Sequence, residues 1–147
     1  MDGFPVKLQM LLDILAKKEE SLTQILSITE NQHAILAWDA SGGKEMFLQM
    51  NAEKQGLIDS VLQYDAMFDN IFKEMGGDFE KNAPDYKDTV KALQTQIKNV
   101  TELDVMIRAQ EDENLKATPA QAPKPNTSKA SHKTVMEDYA RFNKKPR

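Results

Sequence analysis

Every seventh residue from Leu8 onward is one the chain can bury: Leu8, Leu15, Leu22, Thr29 and Leu36, with Thr29 the single polar step. Leu11, Leu12, Ile25 and Leu26 fill the positions between. Apolar side chains at this spacing form one stripe along a helix. The pattern predicts a helix from about residue 5 to 38, roughly 50 Å long at about 1.5 Å per residue. Pro5 suits its first turn, where a missing N–H costs nothing. A rod of this length cannot bury its stripe alone, so the rest of the chain has to cover it.

Two further segments have the right pattern. From 44 to 75, Phe47, Met50, Leu57, Val61, Tyr64, Phe68, Ile71 and Met75 follow steps of three, four and seven. From 84 to 115, Tyr86, Val90, Leu93, Ile97, Val100, Leu103 and Ile107 do the same. Asp39-Ala40-Ser41-Gly42-Gly43 and Gly76-Gly77-Asp78 are turn-forming clusters that end the first two helices. No segment alternates with period two. Short connections between long helices make antiparallel neighbours. The expected fold is all-α: an elongated, antiparallel three-helix bundle over residues 1–116, up-down-up.

Several residues interrupt the stripes. Lys17, Lys18, Glu19, Glu20, Gln32 and His33 make the first seam less apolar than a dedicated zipper. The stem of Lys18 is expected to lie along a neighbour while its ammonium reaches water. Gly56, inside the second helix, suggests a close helix contact. Met46, Met50, Met67, Met75 and Met106 suit an irregular core first and an adaptable binding surface second. Trp38 suits a bundle cap, or, if exposed, a contact site.

Beyond 116 the character changes. Residues 117–133, ATPAQAPKPNTSKASHK, contain no large apolar residue and read as a disordered linker. Residues 134–147 read as a short amphipathic basic tail, with Val135, Met136, Tyr139 and Phe142 on one face. Residues 1–116 carry 12 Lys/Arg against 21 Asp/Glu, a net −9, and residues 117–147 carry 7 against 2, a net +5. An acidic body argues against nucleic-acid binding. The chain opens without the basic and apolar runs of a secretory signal. It has no cysteine, and no uninterrupted apolar stretch of about 18 residues. These features lead to the expectation of a cytoplasmic protein without stable membrane insertion.

An enzyme needs convergent polar groups, and the sequence assembles none. His33 and His132 stand in no metal-ligand spacing, and Gly42-Gly43-Lys44 lacks the rest of a phosphate loop. The run Glu111-Asp112-Glu113 reads as a solvated face. The expectation is a binding module with no catalytic, cofactor-binding or metal-binding residues.

The opening helix LQMLLDILAKKEESLTQILSITENQHAILAWD is followed by MFLQMNAEKQGLIDSVLQYDAMFDNIF and YKDTVKALQTQIKNVTELDVMI. Asn51, Glu53, Lys54, Gln55, Leu57 and Ile58 are the most telling part. In this order they resemble the FlgN-type flagellar export chaperones, and more loosely the FliT type, over residues 5–116. Asp104 stands where members often carry asparagine, with Asn99 five residues away. The resemblance implies a type III export chaperone. It would bind the C-terminal helical segments of flagellar hook–filament junction proteins and deliver them to the export apparatus, without cofactor or turnover. A client helix of amphipathic character needs an apolar groove. Leu93, Ile97, Val100, Leu103 and Ile107 are the candidate groove residues, and the same residues are equally a bundle core. Val135, Met136, Tyr139 and Phe142 are candidates to contact the client, or to occupy its groove when it is absent. Apolar surface on so small a bundle is also compatible with a homodimer. A general helical adaptor or coiled-coil scaffold, unconnected with secretion, is the alternative.

Overall fold

The computed structural model describes residues 3–36 and 42–117. Three long helices account for most of them: α1 (Gly3–Leu36), α2 (Gly42–Met75) and α4 (Lys87–Ala117). Between α2 and α4 lie a short helix, α3 (Asp78–Asn82), and a 3-10 turn (Ala83–Tyr86). There is no strand among the described residues, and no helix there is long and apolar enough to cross a membrane. Trp38, the linker over 117–133 and the tail over 134–147 lie outside this description, apart from the last residue of α4.

Helix α1 is the shared spine. α2 and α4 each pack along it, while their own backbones scarcely approach one another. Side-chain pairs give the directions. Lys18 meets Asp65 and Gln32 meets Asn51, so α2 runs antiparallel to α1. Glu19 meets Gln96 and Thr29 meets Asn114, so α4 runs parallel to it. This is the expected up-down-up bundle. The core follows the predicted stripe on α1, with Leu8, Leu11, Leu15, Leu22 and Ile25 buried.

One end is closed by rings. Phe4 lies 5.2 Å from Tyr86 and 6.3 Å from Phe79, and Phe72 meets Phe79 edge-on at 5.8 Å. Edge and tilted arrangements at these distances are favourable for aromatic quadrupoles. Phe79 reaches this cluster because the chain does not simply turn after α2. Gly76 takes φ 50°, and its N–H donates to the Phe72 and Lys73 carbonyls, a glycine C′ stop. The chain then re-enters a helix at Asp78, which the turn signal in the sequence conceals. The third long helix begins at Lys87 rather than 84, because Pro84 sits in the tighter 3-10 turn.

Three readings of the second helix are corrected. Its buried face includes Lys54, Ile58, Asp65 and Phe72, whereas Leu57, Val61 and Tyr64 are only half-buried. Phe68, Ile71 and Met75 are buried as the stripe predicts, and Lys54 and Asp65 join the buried face as members of ion pairs. Gly56 makes no close helix contact: it is exposed, and a Cβ there would meet nothing within 4 Å. Of the methionines, Met75 is core, but Met46, Met67 and Met106 are exposed rather than core fillers.

Two outcomes follow for urea unfolding. Gly56→Ala raises stability by about 1 kcal/mol, since it removes glycine's helix penalty and meets no obstacle. Phe79→Ala lowers it by about 3 kcal/mol through loss of the ring from the closed end.

Candidate functional site

Toward the far end of α1 the core turns polar. Thr29 and Gln32, on the α1 face that carries Leu22 and Ile25 further back, are fully buried. Helical spacing puts Thr29, Gln32 and His33 within one turn, facing Asn51 and Lys54 of α2 and Gln110, Glu111 and Asn114 of α4. These side chains tie all three helices into one layer.

Lys54 is its centre, with 1% of the residue exposed. Its ammonium donates to Gln32 Oε1 and to Glu111 Oε1, each at 2.5 Å, and approaches Thr29 Oγ1 at 3.4 Å. All three N–H groups thus have an oxygen in reach, as a buried cation requires. Gln32 turns its amide nitrogen the other way, to Asn51 Oδ1 at 2.6 Å and the Phe47 carbonyl at 3.3 Å. Thr29 has one hydroxyl proton. The 2.7 Å bond to the Ile25 carbonyl takes it, which leaves lone pairs facing Lys54. Asn114 Nδ2 donates to the Thr29 carbonyl at 2.9 Å. Its Oδ1 accepts from Gln110 at 3.2 Å and lies 3.0 Å from His33 Nδ1, which must therefore carry the proton. His33 is exposed, and this side-chain bond ties it to α4.

A second buried pair stands nearer the middle of the bundle. Lys18 Nζ and Asp65 Oδ1 are 2.6 Å apart, with side chains 9% and 6% exposed. This corrects the expectation that the Lys18 ammonium reaches water. Glu19 accepts from Gln96 on the α4 side of the same region.

The candidate groove residues fall elsewhere. Leu93, Ile97, Val100 and Ile107 are buried in the core, and Leu103 is half-buried against it. In this conformation the four buried ones pack within the bundle, and Leu103 keeps part of its surface exposed. Val135, Met136, Tyr139 and Phe142 lie outside the described residues. What sequence reasoning missed is the pairing of charges. Lys54, Gln32 and Glu111 are each legible as polar residues, but nothing in a one-dimensional pattern joins positions so far apart. The usable signal was Thr29 and Gln32 breaking the stripe three residues apart.

The exterior of the same end is the reverse. Met46 and Leu48 of α2 and Val105, Met106 and Leu115 of α4 are exposed, Val105 at 61% and Met106 at 52%. Polar groups are thus inside and apolar groups outside over one end of the bundle. No protein-family model matches this chain, and no curated protein or solved structure matches it either.

The two ion pairs differ in their access to water, and substitution separates them. Asp65→Asn takes the carboxylate away from the buried Lys18 ammonium, and costs about 3 kcal/mol in urea unfolding. Replacing both partners, Lys18→Met with Asp65→Leu, recovers most of that loss. Glu111→Gln costs only about 1 kcal/mol, because the Glu111 side chain is 25% exposed and water reaches the layer from that side.

Proposed function

We propose that this chain is a helix-binding export chaperone of the FlgN type. On this reading it works in the cytoplasm. It holds the C-terminal helical segments of flagellar hook–filament junction proteins and passes them to the type III export apparatus. The flagellar assignment rests on the resemblance carried by Asn51, Glu53, Lys54, Gln55, Leu57 and Ile58. The helix-binding part rests on one observation: large apolar side chains stand on the outside of a slender helical bundle, at the end whose interior is polar.

The physical logic is that of a helix in a groove. An amphipathic client segment buries an apolar face at i, i+3, i+4 and i+7, and long helices offer parallel ridges to receive it. Methionine suits such a surface, since its unbranched, polarizable side chain adapts to varied partners. Met46 and Met106 supply that character here. Shielding a client's apolar face keeps it from self-association, and no chemistry is required. The basic tail, with Val135, Met136, Tyr139 and Phe142 on one face, is on this reading a second contact or a stand-in for the client.

The test is fluorescence anisotropy with a labelled peptide from the C-terminal helical segment of a hook–filament junction protein. Saturable binding is expected. Met46→Gln combined with Met106→Gln weakens it about tenfold, worth about 1.4 kcal/mol, and leaves thermal unfolding unchanged. Absence of saturable binding to the full chain ends this reading. Truncation after residue 116 assigns the tail: tighter binding makes it a stand-in, weaker binding makes it a direct contact, and equal binding removes it from the mechanism.

A further inference from the structure

The two halves of α4 are held in different ways. Residues 87–100 sink Val90, Leu93, Ile97 and Val100 into the core. Among the described side chains of 101–117, Ile107 is the one buried apolar group, and Leu103 is half-buried. The far half is held instead by Glu111 on Lys54, Asn114 on the Thr29 carbonyl and His33 on Asn114. Each of these groups exchanges its partner for water at modest net cost once the helix lifts. Segments that bury little apolar surface open locally at a fraction of the global unfolding free energy. The outer face of this half is no anchor either, since Val105, Met106 and Leu115 point into solvent.

Lifting it would bare a particular floor. Lys54 would lose Glu111, its one ion-pair partner among the described residues, while Gln32 would still hold it on the α1 side. A cation fixed among Thr29 and Gln32, with Ile25 and Ile58 one helical turn away along α1 and α2, accepts only a helix that brings an oxygen to the same depth. α4 itself displays the answering pattern: Ile107 one turn before Glu111, and Asn114 one turn after.

We propose that the 101–117 half of α4 is a displaceable cover. The α1–α2 groove beneath it takes an amphipathic partner helix that places a carboxylate against Lys54, with an apolar residue four positions earlier. The inference deepens the helix-binding reading and rests on it for the partner's class. It adds a second seat, beneath α4 rather than on the exposed Met46 and Met106, with its opening and the residue type that decides fit.

Hydrogen exchange on the full-length protein tests the cover. Amides of 103–116 exchange about a hundredfold faster than those of 90–100, and Glu111→Gln speeds the first set about tenfold while leaving the second unchanged. Equal protection along α4, or no response to Glu111→Gln, overturns the proposal. The second arm tests the groove with a fluorescent peptide of residues 101–117. It is added to full-length Glu111→Lys protein, whose own cover is repelled by Lys54; Glu111→Gln protein serves if that variant does not fold. Saturable binding is expected, about tenfold weaker for a peptide carrying Glu111→Gln. No binding, or equal binding of both peptides, overturns the carboxylate rule. Neither arm uses an export client. Failure here with client binding intact sinks the cover alone, and the opposite result sinks the chaperone reading alone.

Discussion

The structure depends on one helix being covered from two sides. α1 presents a buried face broad enough to receive both α2 and α4, whose own backbones scarcely approach each other. Every other element is placed by that constraint. The short α3 and the 3-10 turn exist because the chain must leave the end of α2 and return beside α1 to start α4 in the parallel direction. Phe79 lets that return contribute to the core rather than merely span a gap.

The two ends of the spine solve burial differently. At the Phe4 end, rings from four segments close the bundle with surfaces that have no alternative in water. At the Thr29 end, amide, hydroxyl, carboxylate and ammonium groups satisfy one another, and each has water as a competitor. Apolar burial is favourable by about 25 cal/mol per Å². A polar network gives less net stability and more geometric specificity. A bundle built this way has one fixed end and one end able to exchange partners. For a protein proposed to hold another protein's helix, that asymmetry is useful: the fold survives while the site changes occupant.

Charge placement sharpens the contrast. Lys18 and Asp65 are sealed together in the middle of the bundle, so their pairing belongs to the folded state as a whole. Lys54 is sealed, but Glu111 is not, so that pair joins the interior to a face that water reaches. The polar layer therefore specifies the register of three helices and, at its α4 edge, remains open to substitution.

Much of the fold was legible in the sequence. The seven-residue recurrence from Leu8, the glycine stop at Gly76-Gly77 and the stripe from Val90 to Ile107 carry three helices and their order, because helical period and helix stops are local properties. The core along α2 was legible only in part: Phe68, Ile71 and Met75 were, Lys54 and Asp65 were not. Lys54 and Asp65 break the apolar pattern in one dimension, and only a partner from another helix makes their burial favourable. For the same reason the leucine and isoleucine stripe of α4 read equally well as groove or core until α1 was seen to cover it. The sequence alone determined helices, ends and amphipathic faces. Tertiary structure decided which face was taken and which charges were paired, since desolvation depends on neighbours distant along the chain.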